Sequence, residues 1–187
     1  MSLKFLYRTN HIGVKALTLE ELSGGYPNWF SDLEVCAYNS HGAYAKSPQS
    51  IKEYVQSLDN NVMQLVWAVY HLEDNVHIGN VSLRIFNRID NNAELGFLFG
   101  EKAYWGRGLA SDAGRIMVYH GFNVLNLHRI YCAMAATNLG MVSLAKKIGF
   151  TEEGRRRENI FLQGHYVDEI EFGLLKREFT YVPAKLN

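Results

Sequence analysis

The chain has 187 residues, 48% hydrophobic and 20% charged, with only 3 prolines. That length suits one domain able to bury roughly 70% of its unfolded surface. It therefore needs no disulfide framework or structural metal, and disordered and collagen-like classes are excluded. Lys+Arg and Asp+Glu are 19 each, so the net charge is zero, which argues against a nucleic-acid binder working through phosphate neutralisation.

Cys36 and Cys132 lie far apart in sequence and fit no metal spacing; they read as free thiols in a reducing compartment. No apolar run reaches the roughly 18 residues of a membrane helix, and Met1–Arg8 lacks the apolar stretch of a signal peptide. The expected location is the cytoplasm, with no membrane partner. No linker, repeat or low-complexity tract interrupts the sequence, so residues 1–187 read as a single domain.

The first expected element is a strand over His11–Leu17, followed by an irregular aromatic stretch, Leu19–Asn39, with short helical pieces. Ser47-Pro48-Gln49-Ser50 opens a helix, with Ile51, Tyr54, Val55 and Leu58 at helical spacing. Met63, Leu65 and Trp67 alternate as a buried strand, Glu73-Asp74-Asn75 turn, and Val81, Leu83 and Ile85 alternate as the next strand. Asn87–Asn92 is a polar loop. Glu94–Phe99 is a short apolar run read as a central strand. A helix follows over Gly108–Asn123, with Leu109, Ala113, Ile116, Met117 and His120 on one face and Asp112 in the first turn. Ile130, Cys132 and Met134 form another strand. Asn138 caps a helix with Met141, Leu144, Ala145 and Ile148 inward and Gly149 as its stop. Strands over Thr151–Asn159 and His165–Leu175 close the chain as a hairpin through Leu162-Gln163-Gly164. The order predicts an α/β sheet with parallel crossovers.

Chemistry concentrates in Glu94-Leu95-Gly96-Phe97-Leu98-Phe99-Gly100 and Tyr104-Trp105-Gly106-Arg107-Gly108-Leu109-Ala110-Ser111. A strand, a glycine turn and a helix start place free backbone N–H groups at the positive end of a helix dipole, an anion site suited to a pyrophosphate. Gly106 and Gly108 let the backbone approach a ligand closely, and Arg107 adds a charge. A Walker loop is excluded because Gly-Lys-Ser/Thr is absent. A dinucleotide fingerprint fails because Ser111 stands where its third glycine belongs. A tight turn with no ligand is the competing reading of the glycines alone.

The wider pattern resembles the GNAT acetyltransferase superfamily, whose signature is Gln/Arg-x-x-Gly-x-Gly/Ala. Trp105-Gly106-Arg107-Gly108-Leu109-Ala110 is similar to the branch containing the ribosomal-protein alanine acetyltransferases, and Asn138 through Lys147-Ile148-Gly149-Phe150 matches that branch at the same spacing. Gly154 and Gly164-His165-Tyr166-Val167-Asp168 resemble its last hairpin. The resemblance spans about His11 to Leu175.

It implies an α/β (α+β) fold: a mixed, mostly antiparallel sheet of about six to seven strands with a splayed parallel pair in the middle, flanked by about four helices. It implies an acyltransferase moving acetyl from acetyl-CoA to a primary amine by direct attack in a ternary complex, without metal. A bulge is expected around Phe97–Phe99, where the N–H of Leu98 or Phe99 meets the thioester carbonyl and stabilises its oxyanion, a contribution of about 3–4 kcal/mol elsewhere. Trp105, Gly106, Arg107, Gly108, Leu109, Ala110 and Ser111 are expected around the pyrophosphate, Asn138 on the pantetheine arm, and Lys147 near the nucleotide end.

An attacking amine must lose a proton. Glu94, where many relatives carry a glutamate, and His41 in Ser40-His41-Gly42 are the candidate bases. Either is also readable as an ordinary side chain, at a strand end or in a loop. Tyr38, Ser40 and His41 are expected in the acceptor pocket, and Asp168, with Glu169, is placed there or on a solvated hairpin. The Tyr and Ser that many relatives carry after the asparagine are Ala145 and Met141, so the usual candidate acids are missing. Tyr131 and His128 read as structural.

Gly-x-Ser-x-Gly and His-Glu-x-x-His are absent. A nucleotide-activated amino sugar is the first acceptor expected, because Tyr38–Gly42 and Ile78–Val81 resemble bacterial amino-sugar acetyltransferases. A protein N-terminal amine and a polyamine follow. A non-catalytic acyl-CoA-binding sensor is the reading from another class. The resemblance also allows a homodimer through the last strand.

Overall fold

A computed structural model describes residues 4–183 and 185–186. The strands are β1 (Tyr7–Arg8), β2 (Ile12–Ala16), β3 (Gln64–His71), β4 (Val76–Asn87), β5 (Asn92–Leu98), β6 (Arg129–Ala135), β7 (Thr151–Leu162), β8 (His165–Leu175) and β9 (Lys185–Leu186). The helices are α1 (Pro48–Ser57), α2 (Leu109–Asn123) and α3 (Leu139–Ile148). Among the described residues these nine strands form one sheet in the order β7-β8-β6-β5-β4-β3-β2-β1-β9. Every pairing is antiparallel except β5–β6, which is parallel. The mixed sheet with a parallel pair inside it is the expected one. The strand number exceeds six or seven because of the two-residue strands β1 and β9. The short helical pieces expected in the aromatic stretch after β2 are 3-10 turns, Leu19–Ser23 and Tyr26–Ser31, and a third, His41–Ala43, follows it.

Local chemistry sets the helix ends. The Ser47 hydroxyl accepts the Ser50 N–H at 3.1 Å, with Pro48 at the first position of α1. Asn138 accepts the Met141 N–H at 3.2 Å, and α3 stops at the left-handed Gly149.

Strand alternation separates two cores. Trp67 and Val69 join α2, α3 and the inner face of β8 in the larger one, where Ile116, Met117, Phe122 and Phe172 are almost wholly buried. Val66 and Ala68 point the other way, into a cluster with Tyr26, Trp29, Phe30, Ile51 and Val55. Each such side chain contributes about 1.5–3 kcal/mol on burial. β4 starts at Val76, earlier than the alternation around Val81 suggested, because the buried polar residues His77 and Asn80 break the apolar pattern. β7 likewise runs on to Leu162: its register against β8 shifts between Arg156 and Ile160, absorbing extra residues, with Glu158 at φ 51°.

The stretch from Trp29 to Glu34 is fastened to the turn after β5. Trp29 Nε1 donates to Glu101 Oε1 at 2.9 Å, and Lys102 lies 2.9 Å from both Asp32 and Glu34.

Burial is the leading cause that holds His41, His77 and His120 below the ordinary histidine value of 6.5. His120 Nδ1 lies 2.9 Å from the Tyr7 hydroxyl inside the larger core. The unfolded chain therefore takes up these protons first, and stability falls as pH drops through about 6.5. Melting curves recorded from neutral to mildly acidic pH are expected to show Tm falling from that point. A Tm that holds steady well below pH 6.5 contradicts this reading.

Candidate active site

β5 and β6 pair only from Asn92↔Arg129 to Glu94↔Tyr131. Beyond that β6 continues against β8 to Ala135, while β5 continues against β4 to Leu98. The parallel pair therefore opens after Glu94. The Ile85 N–H donates to the Met63 carbonyl at 2.7 Å, which fixes the phase: the backbone groups of Arg84, Ser82 and Asn80 face β5. Their partners Glu94, Gly96 and Leu98 are committed to β4, and Phe97 turns its N–H toward the gap. The Leu98 N–H, one of the two expected thioester donors, is thus directed away from it. The register is intact through Asn80↔Leu98, and then Glu101, not Gly100, donates to the Ile78 carbonyl at 3.3 Å. The extra residue falls at Phe99–Gly100, just past most of the expected bulge position.

The glycine turn lies at the end of this gap. Trp105 Nε1 donates to the Phe99 carbonyl at 2.9 Å and closes it. Gly106 and Gly108 have φ of 73° and 82°, and nothing stands within 4 Å of where a Cβ would be on either. From Gly106 to Ala110 no backbone N–H finds an acceptor among the described residues; the next bond is Ser111 N–H to the Gly108 carbonyl at 3.0 Å. Gly108 is the N-cap of α2 and offers no side-chain cap. Five consecutive free donors at a helix start, under open space, form a cradle for an anion.

A cleft of about 780 Å³ runs from this cradle into the opened pair. Among the expected cofactor residues it is lined by Phe97, Leu98, Phe99, Trp105, Gly106, Gly108, Leu109, Ala110, Ser111, Asn138 and Lys147. Glu94 lines it too, where the strands part. Arg107 does not: its guanidinium lies 5.2 Å from the Tyr104 ring centre. Cys132 is on the cleft wall, and burial, with the Glu94 charge second, pushes its thiol up to about 12. It stays protonated at neutral pH and is unsuited to act as a nucleophile. Cys36 is also buried and free.

A second cleft, of about 470 Å³, lies beyond β5. Gly96, Phe97 and Leu98 line both clefts, so the two meet along this strand. The second cleft is walled by Tyr26, Phe30, Ile51 and Val66, with His41, Lys46, Tyr54, Gln64, Asn80 and Ser82 as polar groups. Asn80 is buried, and its Oδ1 lies 2.9 Å from His77 Nε2. The His41 ring is edge-on to Phe30 at 5.3 Å. Burial, reinforced by the nearby Lys46 charge, keeps its imidazole neutral at pH 7.

Three of the expected acceptor residues lie elsewhere. Tyr38 lines the first cleft and donates to the Thr137 carbonyl at 3.2 Å, bracing the β6–α3 connection. Ser40 is the N-cap of the His41–Ala43 turn and lines neither cleft. Asp168 also lines neither: its carboxylate accepts the Glu158 N–H at 3.0 Å and pairs with Arg155 at 3.1 Å, holding the β7 irregularity. Those two contacts, the backbone one first, pull its pKa down.

A model of the acetyltransferase (GNAT) domain matches residues 11–151. The chain belongs to this family. It is 26% identical over 175 residues to the N-acetyltransferase p20 of Bacillus licheniformis, covering 92% of this chain and 97% of that one. The spermidine N-acetyltransferase of Vibrio cholerae, solved with CoA and spermine, superposes with a TM-score of 0.81 at 24% identity, over 91% of this chain and 98% of that one. The ribosomal-protein-S5-alanine acetyltransferase of Vibrio fischeri superposes at 0.79 with 18% identity, over 94% and 98%.

In this acetyltransferase the second cleft was the part least visible in the sequence. Lys46, Tyr54, Gln64, Asn80 and Ser82 come from four separate segments. The available signal was Asn80 and Ser82, two polar residues two apart and so on one face of β4, set between the apolar residues Ile78, Val81 and Leu83. Among the described residues no three His, Cys, Asp or Glu side chains stand close enough to hold a metal ion, and no helix is long and apolar enough to cross a membrane.

Proposed function

We propose that this acetyltransferase moves an acetyl group from acetyl-CoA in the first cleft directly onto a primary amine entering through the second. The observation that carries this is the shared wall, Gly96–Leu98, where the two clefts meet. When bound, acetyl-CoA supplies the thioester acyl group. The free N–H groups of Gly106 to Ala110 hold its pyrophosphate, Asn138 and the α3 side of the cleft flank its arm, and Lys147 meets the nucleotide end. The Phe97 N–H faces the gap and is the donor for the thioester oxygen; one such donor contributes about 3–4 kcal/mol to acyl transfer. His41, neutral and within the acceptor cleft, takes the proton of the amine. Glu94 shares a strand face with Gly96 and Leu98, and its negative charge favours the cationic form in which the amine arrives. With the Cys132 thiol protonated no acyl-enzyme forms; the amine nitrogen bonds to the acyl carbon, the C–S bond breaks, and coenzyme A leaves as its thiolate to be protonated.

A small-molecule or peptide amine fits this reading. Relatives named for spermidine and for a ribosomal-protein alanine bracket the acceptor classes, and the amino-sugar acceptor expected from sequence has no support among them. The whole chain 1–187 acting as one domain in the cytoplasm, and pairing into a homodimer, belong to the same proposal.

Acetyl-CoA at 100 times its Kd is expected to stabilise the protein by about 2.7 kcal/mol, a Tm rise of about 5–10 °C, with NAD and ATP giving less. Product formation is then read on an amine panel. Stabilisation without turnover of any amine turns the reading toward an acyl-CoA sensor; no stabilisation removes the cofactor site.

A further inference from the structure

We propose that the acceptor is a small amine that also carries an anionic group, a carboxylate or a phosphate, held by Lys46 in the second cleft. This rests on the two-cleft reading above and names the substrate class for it. Among the described residues no Asp or Glu lines the second cleft, whereas Lys46 does. Lys46 makes no ion pair among the described residues. Glu21, Asp32 and Glu34 are committed elsewhere, Glu21 to Lys15 at 2.8 Å, and Asp32 and Glu34 to Lys102 at 2.9 Å. A polyamine, whose second and third charges need carboxylates, finds none in this cleft.

The remaining polar groups suit a compact, hydroxylated or amide-bearing body. The Gln64 amide donates to the Tyr54 hydroxyl at 3.2 Å and keeps its carbonyl oxygen free. Asn80 uses its Oδ1 toward His77 and leaves its amide nitrogen unpaired, and Ser82 has no partner among the described residues. A cleft of about 470 Å³ is within the usual range for a small ligand, about 300–1,000 Å³.

The test is steady-state kinetics on matched acceptors at about pH 8, where His41 is neutral with or without Lys46 beside it. One pair is the diamine cadaverine against δ-aminovalerate, of similar reach and opposite terminal charge. The other is glucosamine against a glucosamine phosphate, and the two pairs separate a carboxylate from a phosphate source. In at least one pair the anionic member is expected to have about tenfold or more higher kcat/KM, the effect of one charge-assisted hydrogen bond. Lys46→Ala is expected to remove that advantage through KM with kcat little changed, and Lys46→Arg to restore it. A preference for cadaverine or spermidine, equal use within both pairs, an advantage that survives Lys46→Ala, or better turnover of an alanine-led peptide overturns the proposal while leaving acetyl transfer intact. Acetyl-CoA binding with no amine consumed overturns the two-cleft reading itself, and this one with it.

Discussion

Gly108→Val is expected to weaken acetyl-CoA binding by about 100-fold or more while the fold survives. Gly108 holds φ at 82°, begins α2 and faces open space. A side chain there meets two separate costs. The left-handed backbone is worth about 1–2 kcal/mol against any residue with a Cβ. The Cβ and its methyls then occupy the space into which the free N–H groups of Gly106 to Ala110 point, which keeps a pyrophosphate out of reach. Gly149 separates these costs. It is left-handed too, with φ 113° and open space above it, but it caps α3 and lines neither cleft. Gly149→Val is expected to lower Tm by a similar amount and leave the Kd for CoA unchanged. Calorimetric titration of both variants decides the matter; a Gly108→Val protein that binds like the parent moves the pyrophosphate site elsewhere.

His41→Gln is expected to lower kcat by about 10²–10⁴-fold, the range for a positioned general base, without changing acetyl-CoA affinity. The sign of its pH dependence follows from burial. Because His41 titrates below 6.5, it is a competent base throughout the neutral range, and the parent's kcat/KM should fall only as pH drops under that value. The variant should lose this acidic limb together with the rate. Glu94→Gln is the companion measurement and is expected to keep the limb, with a rise in acceptor KM from the lost negative charge. If Glu94→Gln instead carries the large loss in kcat and the limb, the proton leaves through the first cleft and His41 is only a wall of the second.

The first cleft was legible in the sequence because it is made from continuous chain. A strand, a glycine turn and a helix start each have a local signature, and Trp105 to Ser111 together with the Asn138 cap are enough to lay it out. Side-chain pockets assembled from distant segments have no such signature. Lys46 looks like any loop lysine until the fold sets it on the rim of a cleft shared with α1 and β3, and Tyr38 and Ser40 were grouped with His41 because they adjoin it in sequence. Strand phase was also hidden: that Phe97 faces the gap and Leu98 faces β4 depends on the β3–β4 register, fixed by a bond between Met63 and Ile85. The short helical pieces after β2 were legible, but not their 3-10 form or bounds, because Tyr26, Trp29 and Phe30 are held there by aromatic packing rather than by helical periodicity.

The two clefts are built from different materials. The acyl side depends on main-chain N–H groups, which nearly every amino acid supplies alike. The acceptor side depends on side chains from the Lys46 loop, α1, β3 and β4, attached to a strand that they do not define. Descendants of such a chain can therefore change what they acetylate by a few exchanges at surface-accessible positions, with the acyl-handling apparatus carried along unaltered. Natural variation in acceptor choice should accumulate at residues such as Lys46, Gln64 and Ser82, while the glycine turn and the opening between β5 and β6 drift little.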